Sequence, residues 1–217
     1  MKSEKWQMQK KMIKVCGMRE PENIREIEGL DVDMLGFIFH ARSLRYVGDG
    51  DGPAEIIRCC TKPKVGVFVD EPVEFILDRA KNCKLEYLQL HGSEPPALCS
   101  ELKQCGYYII KAFPVFSADD FMKTENYKDC CDYLLFDTKC DSYGGSGLRF
   151  DWSLLAEYKG DIPFILSGGI TSDCTNEINR INHPAFAGID LNSGFERSLA
   201  IKDSCKLKEF VERLLIL

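Results

Sequence analysis

The sequence predicts a single (β/α)₈ barrel, and three features lead there. Eight short apolar runs alternate with amphipathic or polar segments along 217 residues, the unit count and length of a compact barrel. The runs are apolar almost throughout rather than alternating, as in parallel strands covered on both faces. No Pro-, Gly- or Ser-rich linker divides the chain. One domain is therefore expected, residues 12–217, behind a polar extension, residues 1–11. A doubly wound open sheet fits the apolar strands equally well, because strand order is not readable here. The unit count favours the barrel.

The elements follow in order. Ile13 to Cys16 reads as the first strand, with Gly17 turning the chain and Pro21 placed for the first turn of a helix. Met34 to Phe39 is the second strand, with Gly36 inside it, followed by the loop HARSLRYV and a helical pattern from Pro53 to Cys60. Lys64 to Val69 and then Pro72 to Lys81 form the third unit. Glu86 to Leu90 leads to His91-Gly92, and Pro95 to Gln104 is helical. Tyr108 to Ala112 is the fifth strand and Tyr133 to Phe136 the sixth, ending in Asp137. A polar, glycine-containing loop from Thr138 to Gly147 comes next, and Asp151 is placed to cap a helix. Pro163 to Leu166 is the seventh strand, ending in Ser167-Gly168-Gly169. Phe186 to Asp190 is the eighth, ending in Leu191-Asn192-Ser193-Gly194, and an amphipathic helix from Lys206 to Leu215 closes the chain.

Composition narrows the function. The chain is 45% hydrophobic and 29% charged with a net charge of −6, which argues against a nucleic-acid or anionic-membrane partner. A small anionic ligand is still allowed, since a few local donors bind a phosphate at any net charge. The eleven cysteines show no CxxC spacing. Cys59-Cys60 and Cys130-Cys131 are adjacent pairs, poorly placed for zinc or for ordinary disulfides. Free thiols in a reducing cytoplasm are the simplest account. No apolar run reaches membrane-spanning length, and the opening MKSEKWQMQKK lacks the apolar core of a signal peptide.

In a barrel every strand's C-terminal end faces one mouth, where the ligand sits. The candidates are therefore Cys16, Arg42, Arg45, Asp70, His91, Asp137, Ser167-Gly168-Gly169 and Asn192-Ser193-Gly194. The turns after strands seven and eight offer backbone N–H groups, with Asn192 and Ser193 placed to cap a short helix near Gly194. Such a pair suits a phosphate. Asp137 ends a buried strand under a glycine loop, a position for a catalytic acid, or for a strand cap paired with Lys139. Arg45 is placed to grip a carboxylate in a forked pair, or to be solvated. Gln89 and His91 read as pocket wall. A lone cysteine such as Cys16 is most often a small hydrophobe. With three histidines and no HxH or HxxxH spacing, no metal site is expected.

At this level of detail the chain resembles the phosphoribosylanthranilate isomerase family. The matching pieces are IKVCGM (13–18), GFIF and SLRYVG (36–39, 43–48), VGVFVDE (65–71) and LQLHG (88–92). They continue with LFDTK, YGGSG and FDW (135–152), ILSGGI (165–170) and GIDLNSGFE (188–196). The resemblance implies a (β/α)₈ barrel catalysing an Amadori rearrangement in tryptophan biosynthesis without cofactor or metal. It also implies Cys16 as general base, Asp137 as general acid and Arg45 on the anthranilate carboxylate. The glycine turns would hold the phosphate. One departure is Ala41 after His40, where family members often carry proline in the loop. A phosphorylated small molecule is then the expected partner, and a monomer or homodimer the expected assembly. The competing readings are a metal-dependent sugar-phosphate epimerase, which would want more converging histidines and acids, and a catalytically silent phosphate binder.

Overall fold

The computed structural model describes residues 10–138 and 150–215. Eight parallel strands close into a barrel in chain order. They are β1 (Met12–Val15), β2 (Met34–Ile38), β3 (Lys64–Phe68), β4 (Tyr87–Leu90), β5 (Tyr108–Val115), β6 (Tyr133–Thr138), β7 (Phe164–Leu166) and β8 (Phe186–Leu191). Closure is completed by β1 pairing β8 in register, Lys14 opposite Asp190 and Val15 opposite Leu191. The open doubly wound sheet is thereby excluded.

Outside the strands lie α1 (Pro21–Glu28), α2 (Asp51–Arg58), α3 (Val73–Cys83), α4 (Pro96–Gln104), α5 (Thr175–Asn179) and α6 (Ser204–Leu215). The fifth and sixth units carry 3₁₀ segments instead, Ala118–Tyr127 and Trp152–Glu157. The helix expected after Asp151 is thus a 3₁₀ turn, although Asp151 does cap it, accepting from Ser153 N at 2.9 Å. A small antiparallel hairpin, β9 (Glu196–Ser198) and β10 (Ile201–Lys202), follows β8 and has no counterpart in the sequence reading. Several boundaries also move: α2 begins before Pro53, and β5 runs to Val115. Residues 1–9 of the polar extension and residues 139–149 of the glycine loop, with Lys139, lie outside the described residues.

Parity along each strand decides what reaches the mouth. Ile13, Val15, Leu88, Leu90, Leu134, Phe136, Ile189 and Leu191 belong to the large core between strands and helices. Met34, Val65, Ile110, Ala112, Leu135 and Ile165 form a separate cluster, the filled barrel interior. Cys16, His91, Asp137 and Asp190 keep the parity opposite to the helix-facing set, so their side chains project into the barrel. Phe136, next to Asp137, packs with ring centroids 4.9 Å from Phe121, 5.2 Å from Tyr158 and 5.1 Å from Phe164. That anchorage, worth about 3–5 kcal/mol to an alanine substitution, fixes where Asp137 emerges.

Candidate active site

Cys16 sits one residue beyond β1, 3% exposed, its N–H donating to Leu191 O at 2.8 Å. Gly36 on β2 makes the room. A Cβ there would fall 2.9 Å from Cys16 Sγ and 3.1 Å from Lys14 Cε. Lys14 and Asp190 are buried in the barrel and joined Nζ to Oδ1 at 2.9 Å. Burial pushes the Cys16 thiol up, while the Lys14 ammonium beside it pulls the other way without winning. For Lys14, burial alone would lower the ammonium, but Asp190 and Cys16 leave it raised. Burial likewise raises Asp190 against the pull of Lys14, and Asp137 adds to the rise.

Asp137 faces His91, Oδ2 to Nε2 at 3.3 Å, and its Oδ1 accepts from Thr138 N at 2.7 Å. Gln89 Nε2 lies 2.9 Å from His91 Nδ1. If the amide donates there, the neutral ring keeps its proton on Nε2, toward Asp137. Gly168, at φ +84°, lies so close that a Cβ would strike Asp137 Oδ1 and come within 2.5 Å of Thr138 Oγ1. Acid and glycine turn therefore share one surface.

Arg45 is 8% exposed and already forks onto a carboxylate, that of Glu196. Its Nε reaches Oε1 and its Nη2 reaches Oε2, each at 2.7 Å. Lys202 donates to the same Oε1 at 2.8 Å and to Asn192 Oδ1 at 2.7 Å. Asn23 in turn clamps the Lys202 backbone, receiving its N–H at 2.7 Å and donating to its carbonyl at 2.9 Å. Burial would raise Glu196, but Arg45 and Lys202 together hold it below the usual carboxylate range. Gly17, at φ +75°, has no room for a Cβ, which would lie 2.8 Å from both Arg45 Cδ and Asn192 Oδ1.

The two glycine turns meet. A Cβ on Gly194 would strike Ile170 O, the residue after Gly168-Gly169. Among the described residues, the N–H groups of Gly168, Gly169, Ser193 and Gly194 donate to no protein oxygen. They form a ready cluster of donors. The turn after β8 is a 3₁₀ segment, Ser193–Phe195, and Asn192 precedes it without capping it through its side chain. The expected side-chain cap is absent because Lys202 engages that amide.

The model of the family described as N-(5'-phosphoribosyl)anthranilate (PRA) isomerase matches residues 13–213. A Parabacteroides distasonis protein named N-(5'-phosphoribosyl)anthranilate isomerase is 50% identical over 206 residues, 94% of this chain and 93% of that one. The chain belongs to the phosphoribosylanthranilate isomerase family. The crystal structure of the Thermotoga maritima phosphoribosyl anthranilate isomerase superposes with a TM-score of 0.81 at 31% identity, covering 96% of this chain and 100% of that one. A second, of a phosphoribosyl anthranilate isomerase in complex with reduced 1-(o-carboxyphenylamino)-1-deoxyribulose 5-phosphate, gives 0.78 at 28% identity, covering 96% and 100%. The protein is an isomerase with a TIM-barrel fold, and none of its described helices is long and apolar enough to cross a membrane.

In this phosphoribosylanthranilate isomerase family member the mouth gathers Cys16, Arg45, Gln89, His91, Asp137 and both glycine turns. Arg42 is exposed. Asp70 braces a loop, accepting from Ser93 N at 2.6 Å while its own N–H donates to Glu94 Oε1 at 2.9 Å. The sequence reading missed Lys14, Asp190, Glu196 and Lys202. Their signal was a charge inside an otherwise apolar run, one Lys in IKVC and one Asp in GIDL. A closed barrel makes those two runs neighbours.

Proposed function

We propose that this isomerase converts N-(5-phosphoribosyl)anthranilate to 1-(2-carboxyphenylamino)-1-deoxyribulose 5-phosphate, an Amadori rearrangement in tryptophan biosynthesis. The observation that carries the reading is the convergence of a thiol and a carboxyl group at one mouth. Cys16 and Asp137 project inward from strand ends that the closed barrel separates by only β7 and β8. The adjoining glycine turns carry backbone N–H groups that donate to no oxygen of the described residues. The named relatives, including the complex with a reduced form of that ribulose phosphate, support the same substrate.

Asp137 is the general acid: it gives a proton to the furanose ring oxygen, the ring opens, and a Schiff base forms at the first ribose carbon. Cys16 is the general base and takes the proton from the second carbon, leaving an enolamine that tautomerises to the ketone. No electron leaves the substrate and no group is transferred, so two proton-transfer groups suffice. Lys14, Lys202 and Arg45 all favour the Cys16 thiolate against the effect of burial. His91, steadied by Gln89, holds the Asp137 carboxyl in position.

Arg45 binds the anthranilate carboxylate. Glu196 occupies the Nε–Nη2 edge of the guanidinium and leaves the Nη1–Nη2 edge, which is a second forked donor. The backbone of Gly168, Gly169, Ser193 and Gly194 holds the phosphate, and Asn192, pinned by Lys202, shapes that turn. The direct test follows anthranilate fluorescence. The purified chain should abolish it when given phosphoribosylanthranilate, with the carboxyphenylamino-deoxyribulose phosphate appearing in equal amount. Persistent fluorescence beyond spontaneous decay would remove the assignment.

A further inference from the structure

Three cysteines converge on the outer side of the barrel wall, away from the residues assigned to the mouth. Cys99 lies on α4, and Cys130 and Cys131 lie in the turn that enters β6. All three are buried, and their sulfur atoms stand within 4.8 Å of one another. An ion held about 2.3 Å from three sulfurs needs them no more than about 4 Å apart, so the three side chains draw together on binding from within 4.8 Å. Among the described residues, no fourth His, Cys, Asp or Glu atom joins the group. Structural zinc almost always takes four ligands, so three soft donors point to a three-coordinate thiophilic acceptor.

We infer that Cys99, Cys130 and Cys131 form a three-thiol site for a soft trivalent ion, with arsenous acid as the ligand class it takes. Charge decides among soft acceptors. Lys111, a cation close to Cys99, is committed to Glu94 at 3.1 Å and to the carbonyls of Leu90, Gly92 and Ala112. A monovalent or divalent ion on three thiolates would leave net negative charge in a buried pocket, at a cost in desolvation. Arsenous acid leaves none. Three As–O and three S–H bonds break, three As–S and three O–H bonds form, three waters leave, and no oxidation state changes.

Access comes from the turn around Cys130 and Cys131, which belongs to no helix or strand and opens at lower cost than the barrel wall.

The experiment is titration of the folded, full-length protein with arsenite, read by native mass spectrometry and by the number of thiols left for a disulfide reagent. One arsenic per chain less three hydrogens is expected, with three thiols protected. Cys99→Ser and Cys131→Ser should each weaken binding at least tenfold, and so should the alanine variants, which guard against a serine-specific folding defect. Cys59→Ser and Cys205→Ser, at exposed positions, should bind as the parent does. The inference is overturned by no uptake into the native protein, by loss of only two hydrogens, or by undiminished uptake in the Cys99 variants. Tighter binding of zinc than of arsenite would overturn it too.

Discussion

Lys14 Nζ lies 2.9 Å from Asp190 Oδ1 across the β1–β8 seam, and the same ammonium stands beside the Cys16 thiol. One buried cation thus serves both the closure of the barrel and the acidity of the thiol assigned as base. Removing it alone would strand Asp190, at a cost of about 3–5 kcal/mol. The informative variant is therefore Lys14→Met combined with Asp190→Asn, which empties the pair together.

In that double variant the Cys16 thiol loses Lys14, its main opposing charge, and with it Asp190, whose smaller effect is to raise it, so its folded pKa should still climb further above 9.0. The thiolate fraction at neutral pH falls about tenfold for each unit of rise. Alkylation of Cys16, followed by peptide mapping, and the rate of the isomerase should both move their basic limbs to higher pH. A pH profile identical to the parent's would detach Lys14 from the thiol's chemistry. The parent's own rate should rise from neutral toward alkaline pH, since its thiol already titrates high.

Cys16→Ser replaces the thiol by a group several units less acidic. Turnover should drop by roughly a hundred- to ten-thousandfold, while product analogues bind almost normally. Near-parent turnover in this variant returns Cys16 to the packing role that a lone buried cysteine usually has.

Glu196 links Arg45 to acid stability. Arg45 and Lys202 hold its folded pKa below its ordinary value of 4.5. A depressed carboxylate contributes stability that is present above the unfolded value and lost as pH falls through the folded one. Glu196→Gln should therefore lower stability at pH 7 by about 3 kcal/mol, the low end for breaking a buried pair. It should also flatten the acid limb of the stability curve below pH 4.5, measured by denaturant unfolding across pH. Arg45→Ala should weaken carboxylate-bearing product analogues by about 1.5–3 kcal/mol and leave analogues without the carboxylate unchanged. Equal losses in both sets would mean that Arg45 only holds Glu196.

The strand count, the closure-compatible apolar runs and the inward residues at strand ends were all legible in the sequence. Cys16, His91 and Asp137 each end a run, and parallel strands put all such ends together. What stayed hidden depends on distances no single run carries. Lys14 and Asp190 are 176 residues apart, and only the register of the first strand with the last makes them a pair. Glu196 and Lys202 sit on a hairpin of three- and two-residue strands, too short for any periodicity to reveal. Adjacent Cys130-Cys131 looked inert because the third sulfur arrives from α4, 31 residues earlier than Cys130.

Asp137 is the proposed donor of the proton that opens the ribose ring, and its neighbours make the proposal testable in two ways. The first is steric. Gly168→Ala must abandon φ +84° or push its methyl onto Asp137 Oδ1 and Thr138, so it should damage acid and phosphate turn at once, raising KM and lowering kcat. The second separates the two proton transfers. Asp137→Asn keeps the shape and the contact toward His91 but has no acidic proton to give. It should fold, bind product analogues almost as the parent does, and turn over the cyclic substrate at least a hundredfold more slowly. An analogue already opened to the Schiff-base stage no longer needs that proton. Asp137→Asn should process it far better than the cyclic substrate, whereas Cys16→Ser should fail on both, because the second carbon must still lose its hydrogen. Equal defects of Asp137→Asn on the two substrates would break the division of labour between acid and base, and would move Asp137 from ring opening to a step that both substrates share.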